Sequence, residues 1–323
     1  MRWSKYLIPA GFLFAVACGK EEATFQEALP SKDALTVNAP DSSNALAVGQ
    51  LSGFYVITRL ATVGVNVTVA GIFNLLEDIV RQPPTTIEGE TAIWGPGAGD
   101  ALDPNVYRLV VTGANGKFTY SLEYRRKNSE GDFIVLASGH SDKSSGEADG
   151  VGDLSIFVTA WGEASLNPCD RGTAVINYDT TTQPQKLSID FSDFRSCEEA
   201  EDGVYSASYY YDRFADGSGN FQFTANGDIQ EGARAVDVLE DLVIRSRWNA
   251  TGAGRSDAKI SGGDLSLEGV TEVTTSECWD ANFGITFAVT TPQVVDLDHT
   301  AGAESACPAG MQSASYSVDA SIL

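Results

Sequence analysis

The sequence predicts a mainly β protein: a large curved antiparallel meander sheet, open or closed like a barrel, with an N-terminal helical segment packed on it. Three observations carry this. After Thr91, apolar and polar residues alternate with a period of two, in short runs rich in Val, Ile, Tyr, Phe and Thr that are separated by Gly, Asp, Asn and Ser. Between Ala45 and Arg81 the apolar residues recur instead at steps of three and four or their multiples. Strand-like and helix-like runs nowhere alternate as the βαβ units of a parallel sheet require.

The elements follow in chain order. Arg2 and Lys5 precede an apolar stretch from Leu7 to Ala17, broken only by Pro9 and Gly11. It has the length of a signal-peptide core and is too short to span a bilayer. The run Ala15-Val16-Ala17-Cys18 resembles a lipobox, in which the cysteine thiol receives a diacylglyceryl group and becomes the new N-terminus. It departs from the usual pattern in carrying Ala15 where Leu is usual, and Ala15-Val16-Ala17 also fits an ordinary A-x-A cleavage site. Cysteine count favours lipidation. The chain has 5 cysteines (Cys18, Cys169, Cys197, Cys278 and Cys307), and an exported protein with a free thiol is uncommon, whereas modifying Cys18 leaves an even number. Residues 1–17 therefore read as a lipoprotein signal peptide and 18–44, rich in Glu, Asp, Ser, Asn, Ala and Pro, as a flexible lipid-anchored tether. Gly19 rather than Asp after the cysteine, by resemblance to Gram-negative lipoproteins, points to the outer membrane.

Formal net charge is −23, and removal of Arg2 and Lys5 with the signal makes it two units more negative. Such a surface repels nucleic acid and anionic headgroups, so no nucleic-acid partner is expected. The partners expected are the membrane, through Cys18, and an unidentified protein, glycan or apolar ligand.

In the helical segment, 45–84, the apolar face is Phe54, Ile57, Leu60, Val69, Phe73, Leu76 and Val80, and Pro83-Pro84 stops it. Gly64 and the β-branched residues around it predict two helices with a break there. The uncharged run Leu60–Leu76 is too short for a membrane span and contains Asn66 and Asn74. In the β domain, 85–323, candidate strands run from Val106–Thr112 to Ser313–Ala320, with Leu154–Thr159 and Leu265–Leu267 among them. Asn115-Gly116 marks a hairpin.

An internal duplication is read at 150–212 and 252–319. Each unit opens on G-x-G (Gly150/Gly152 and Gly252/Gly254) and contains two cysteines around a Thr-Thr-Pro-type turn. Each ends on the same phrase, Ser206-Ala207-Ser208-Tyr209 and Ser313-Ala314-Ser315-Tyr316. Folding each unit about its turn brings Cys169 level with Cys197 and Cys278 near Cys307, which predicts those two disulfides.

Catalytic and metal chemistry find little support. His140 and His299 are the only histidines, and no HExxH, CxxC or G-x-S-x-G motif occurs. Asp296 and Asp298 beside His299 read as a solvated strand end. Asp212–Asn220 lacks the acidic residues of a calcium loop, with Phe214 and Phe223 in their places, and reads as a turn. The G-x-G pairs introduce no helices, so they are turn or bulge glycines rather than phosphate cradles. Tyr205, Tyr209 and Tyr211 share one strand face and form the candidate ligand face, with core packing the simpler account. No catalytic residue, metal or cofactor is expected.

The runs Ser246-Arg247-Trp248, Gly252-Ala253-Gly254-Arg255-Ser256-Asp257 and Ser276-Glu277-Cys278-Trp279-Asp280, with Ile93-Trp94-Gly95-Pro96, resemble an uncharacterised outer-membrane lipoprotein family of myxobacterial type. The resemblance implies a lipoprotein with a β-rich fold and brings no catalytic residue with it. Three classes of function stay open: a non-enzymatic scaffold, adhesin or binding module, a carrier of lipid or another apolar ligand in a helix-covered half-barrel, and a hydrolase with an unrecognised site.

Overall fold

The computed structural model of the chain describes residues 25, 28–40, 51–98, 102–146, 150–166, 169–195, 205–227, 239–293 and 300–316. The expected signal peptide, Cys18, Cys197, Asp296, Asp298 and His299 lie outside them.

One sheet of 15 antiparallel strands runs through the chain as a continuous meander, each strand paired with its sequence neighbours. Its first half is β1 (Thr86–Glu88), β2 (Thr91–Gly97), β3 (Asn105–Ala114), β4 (Lys117–Arg126), β5 (Ile134–Asp142), β6 (Val151–Phe157) and β7 (Arg171–Asp179). The second half is β8 (Gln185–Arg195), β9 (Tyr205–Arg213), β10 (Gly219–Gly227), β11 (Glu240–Trp248), β12 (Gly254–Gly262), β13 (Glu272–Trp279), β14 (Ile285–Thr291) and β15 (Ala301–Gly302). The outermost strands, β1 and β15, do not pair with each other, so the sheet is open. Both are very short, which limits the unpaired edge that another chain could extend.

The hairpins have local causes. Asn115 and Gly116 both take positive φ, 56° and 79°, as a two-residue turn matched to strand twist requires. Three G-x-G pairs, Gly150/Gly152, Gly217/Gly219 and Gly252/Gly254, share one geometry. The first glycine of each (Gly150, Gly217, Gly252) has positive φ in a turn. The second faces an aromatic residue directly across the ladder: Gly152 faces Tyr178, Gly219 faces Trp248 and Gly254 faces Trp279. A Cβ on Gly254 would stand 2.4 Å from the Trp279 ring, so only glycine lets the indole lie flat on the neighbouring strand.

A single helix, α1 (Gly53–Val80), crosses the inner face. The expected break at Gly64 is absent. Helix propensity there is a matter of about 1 kcal/mol, and both ends of α1 are fixed by the sheet. Ser52 N donates to Phe283 O at 3.1 Å at one end, and beyond the other the Trp94 indole N–H donates to Gln82 O at 2.7 Å. The helix thus straps β13 to β2, over about 42 Å. Of its expected apolar face, Phe73, Leu76 and Val80 are buried and Phe54 is half-buried, but Ile57 points to solvent. The side chains of Leu60 and Val69 lie outside the described set.

The expected tether is a second correction. Phe25, Ala28, Leu29, Leu35 and Val37 are buried in the main core with Phe73, Leu109, Phe118 and Tyr211. Backbone groups that such burial would strand find side-chain partners. Lys143 Nζ donates to Leu29 O at 2.8 Å, Asn66 exchanges two 2.9 Å bonds with the Val37 backbone, and the Tyr211 hydroxyl donates to Asn38 O at 3.3 Å. Aperiodic sequence hid this, because an irregular segment that packs by tertiary contacts carries no 2.0 or 3.6 signature.

Smaller differences share that origin. Leu265–Leu267 lies in a 3-10 turn, Gly263–Glu268, and the strand expected to reach Thr159 yields after Phe157 to a short helix, α2 (Val158–Ser165). Ile93-Trp94-Gly95-Pro96 lies in β2, bulged between Trp94 and Gly97, and β13 was not anticipated at all. Ser313–Tyr316 is irregular, not a strand. The two units of the expected duplication consequently do not match strand for strand. Ser206-Ala207-Ser208 sits in β9, whereas Ser313-Ala314-Ser315 leaves the sheet and lies over its outer face.

Candidate functional site

The residues singled out in the sequence do not converge. His140, on β5, contacts the Asp153 carboxylate of β6 through Nδ1 on a partly exposed surface. No group of three or more His, Cys, Asp or Glu able to hold a metal exists among the described residues. Asp212–Asn220 is the β9–β10 connection, in which Asp216 accepts from Ser218 N at 2.9 Å and Ser218 Oγ at 2.6 Å. Those hydrogen bonds lower the Asp216 carboxyl below its ordinary value. The Asp212 carboxylate is occupied by the Tyr210 hydroxyl at 2.7 Å and Asn220 Nδ2 at 3.2 Å.

Tyr211 is core. It is buried, its ring stacks with Trp248 at 6.1 Å between centroids, and burial pushes its hydroxyl pKa up. Tyr209 is half-buried among Phe191, Phe221 and Phe223, with centroids 4.9–5.9 Å away. Tyr205 lies in β9, and its side chain is outside the described set. The concave aromatic face is therefore a filled interior in which Tyr209 meets other rings of the same chain.

The cysteines divide in two. Cys278 and Cys307 form a disulfide across 29 positions, with their Cα atoms 5.3 Å apart. They are not cross-strand partners in a hairpin: Cys278 pairs with Phe287, which pairs in turn with Gly302, and Cys307 reaches back from beyond β15. Cys169 is also disulfide-bonded, and its expected partner Cys197 lies outside the described residues.

Around the Cys278–Cys307 bridge stands a dense polar cluster, which the sequence reading missed. Arg247 and Arg255 face each other directly on β11 and β12, a like-charge pair that costs energy without a counter-charge. Asp257 supplies it. One carboxylate oxygen accepts from Arg255 Nε at 2.7 Å and Ser276 Oγ at 2.6 Å, the other from Arg247 at 3.0 Å and Ser315 N at 2.9 Å. Arg255 also reaches Glu304 at 2.8 Å and Met311 O at 3.1 Å. Burial works against its charge, but the hydrogen bonds to Asp257 and Glu304 outweigh that and hold its pKa above the ordinary value. Half-burial, with the neighbouring Arg247 charge adding to it, lowers the Arg245 guanidinium. A fully buried carboxylate with four donors clamps the 304–316 segment onto the sheet. The signal that could have exposed it is the pairing of alternate strand charges, legible only once register is known.

Two shallow depressions are present. One of about 310 Å³ lies between α2 and strands β5 and β7, lined by Val135, Phe157, Thr159, Ala160 and Glu163, and one of about 410 Å³ lies over β3–β5 beside His140. Neither holds convergent titratable groups of the kind a reacting centre needs. No helix among the described residues is long and apolar enough to cross a membrane. No protein-family model matches this chain, and neither a curated protein nor a solved structure is significantly similar to it.

Proposed function

We propose that this chain is a non-enzymatic envelope or surface lipoprotein, exported by residues 1–17 and anchored through Cys18 to the outer membrane of a Gram-negative bacterium, where its sheet acts as a scaffold or binding module. The observation that carries the choice of scaffold over carrier is the filling of the inner face by the chain's own residues, Phe25, Ala28, Leu29, Leu35 and Val37 together with Phe73, Leu76 and Val80 of α1. A carrier needs an apolar space that its ligand fills. Here side chains of the same chain fill the equivalent space. Disulfide bonding and the lipobox-like run support the exported compartment.

Metabolic labelling with palmitate tests the anchor: the native chain incorporates label and sediments with membranes, and Cys18→Ser loses both. Unchanged labelling and membrane retention in that variant overturn it. A thermal-shift series with fatty acids and phospholipids tests the scaffold. No shift is expected, whereas a dose-dependent rise in Tm would return the carrier reading, because a ligand that binds only the native state stabilises it.

A further inference from the structure

We propose that the outer face of β3, β4 and β5 is a binding trough for a neutral oligosaccharide, which deepens the binding-module reading of the sheet and rests on it. The ladder fixes which side chains share that face. Thr112 pairs with Thr119 and Thr119 with His140; two residues along each strand, Val110 pairs with Ser121 and Ser121 with Ser138. The alternate residues Leu109, Val111, Phe118, Tyr120 and Leu122 are buried in the core, so both rows point outward. Thr112, Thr119 and His140 are exposed, and Val110, Ser121 and Ser138 are half-buried.

Long side chains stand at the two ends of these rows and short ones between. At one end Arg108 pairs with Glu123 at 2.6 Å and its guanidinium lies 3.9 Å from the Phe133 ring centroid. At the other end Lys117 pairs with Asp142 at 2.9 Å. Lys117 and Glu123 lie near opposite ends of β4, a span of about 20 Å. Between the two ion pairs the surface sinks into a depression of about 410 Å³, a size in the range of small-ligand sites. A merely solvated sheet face needs no such gap between its charged side chains.

The chemistry of the trough selects its occupant. A sugar ring has apolar C–H faces and an edge of hydroxyls that both donate and accept. Ile93 and Val110, paired across β2 and β3, supply an apolar strip at one side. The hydroxyls of Thr112, Thr119, Ser121 and Ser138 each donate and accept, and Ser121, which donates to Glu123 at 3.0 Å, keeps lone pairs for a ligand. His140 turns Nδ1 to the Asp153 carboxylate, which leaves Nε2 for an incoming hydroxyl. Each rim charge is paired with its opposite, so a charged polymer gains no net attraction, and the chain's net charge of −23 repels a polyanion. An apolar ligand would strip water from the hydroxyls without replacing its hydrogen bonds. The centres of protein interfaces are rich in Trp, Tyr and Arg and poor in Ser and Thr, the opposite of this floor. A neutral polyol is the ligand that fits.

Affinity electrophoresis of the purified full-length chain, in gels containing laminarin, glucomannan, xyloglucan or alginate, tests this; mobility against polymer concentration gives an apparent Kd. At least one of the neutral polymers should retard the chain, and the polyanion alginate should not. Ser138→Arg lays a long side chain across the floor and should weaken that Kd by about tenfold or more. Thr119→Val removes one hydroxyl at nearly constant shape and should weaken it about fivefold, with an unchanged Tm. Thr224→Arg, beside Ser208 on the outer face of β10, should leave it unchanged. No retardation by any neutral polymer overturns the proposal, as does retardation that Ser138→Arg and Thr119→Val leave intact, which would place binding elsewhere. Retardation by alginate alone overturns the neutral class. A concentration-dependent dimer abolished by Ser138→Arg would assign the face to a second copy of the chain and overturns it too. Loss of palmitate labelling would remove the anchor without touching this result, because retardation is read on purified protein, and absence of retardation would leave the anchor standing.

Discussion

Ser52 donates its hydroxyl to the Glu277 carboxylate at 2.5 Å across 225 positions of sequence, and the same carboxylate accepts from Phe54 N at 3.1 Å. Ser52 Oγ in turn accepts from Tyr55 N at 3.1 Å, so a strand residue and the N-cap together satisfy the first turn of α1. Both side chains are buried. A negative charge at a helix N-terminus is also favoured by the helix dipole.

Glu277→Ala should therefore destabilise the protein by about 2–3 kcal/mol, by orphaning buried donors, and Glu277→Gln by about 1 kcal/mol. Urea denaturation measures both. A neutral Glu277→Ala would mean that α1 is not held by its N-terminus.

Glycine under an aromatic ring predicts a sharp positional contrast. A Cβ at Gly254 would meet both the Trp279 ring and Arg247 O at 2.4 Å, whereas at Gly97 it would meet nothing within 4 Å. Gly254→Ala should cost about 1–3 kcal/mol through overpacking, and Gly97→Ala should be close to neutral. Equal effects in thermal melts would remove the steric account of the glycine that faces a ring.

The outer clamp predicts that its charge and its bridge act on the same segment. Asp257→Asn leaves Arg247 and Arg255 facing each other with a weakened partner, and should cost about 3–5 kcal/mol. Cys307→Ser opens a loop of 29 positions and should cost about 3–4 kcal/mol in the chain-entropy model. Each should raise proteolysis within 304–316 before the sheet unfolds. Protection of that segment in both variants would show that it packs without them.

Alkaline pH should unfold the protein through its buried tyrosines. Burial, with Tyr178 adding to it, pushes the Tyr120 hydroxyl well above its ordinary value, and the hydroxyl donates to Asp153 O at 2.8 Å. A folded pKa raised above the unfolded one contributes stability fully present below the unfolded pKa, about 10, and lost as pH rises beyond it toward the folded value. Tyr120→Phe should flatten that loss while costing about 1 kcal/mol at pH 7 for the missing hydrogen bond. Stability profiles of the two proteins between pH 8 and about 12 would show it; an unchanged alkaline slope would place the loss elsewhere.

Much of the fold was legible because its signals are local. Alternation marked β4 and β7 nearly residue by residue, and Asn115-Gly116 marked a turn whose positive φ values only such residues accept readily. The candidate site was far less legible. Tyr209 and Tyr211 share a face as their spacing requires, but whether that face is open depends on Phe25–Val37, which no periodicity connects to β9.

By itself the sequence determined the antiparallel meander class, the alternation of strands such as β4 and β7 and the turn at Asn115-Gly116, since each depends on residues within a few positions of one another. Tertiary structure decided that α1 is one helix despite Gly64, that Phe25, Ala28, Leu29, Leu35 and Val37 are core rather than tether, and that Arg247, Arg255 and Asp257 form one cluster. In each of these cases the deciding free energy comes from groups far apart in the chain. Those contacts outweigh local propensities of about 1 kcal/mol and exist only once register has brought the partners together.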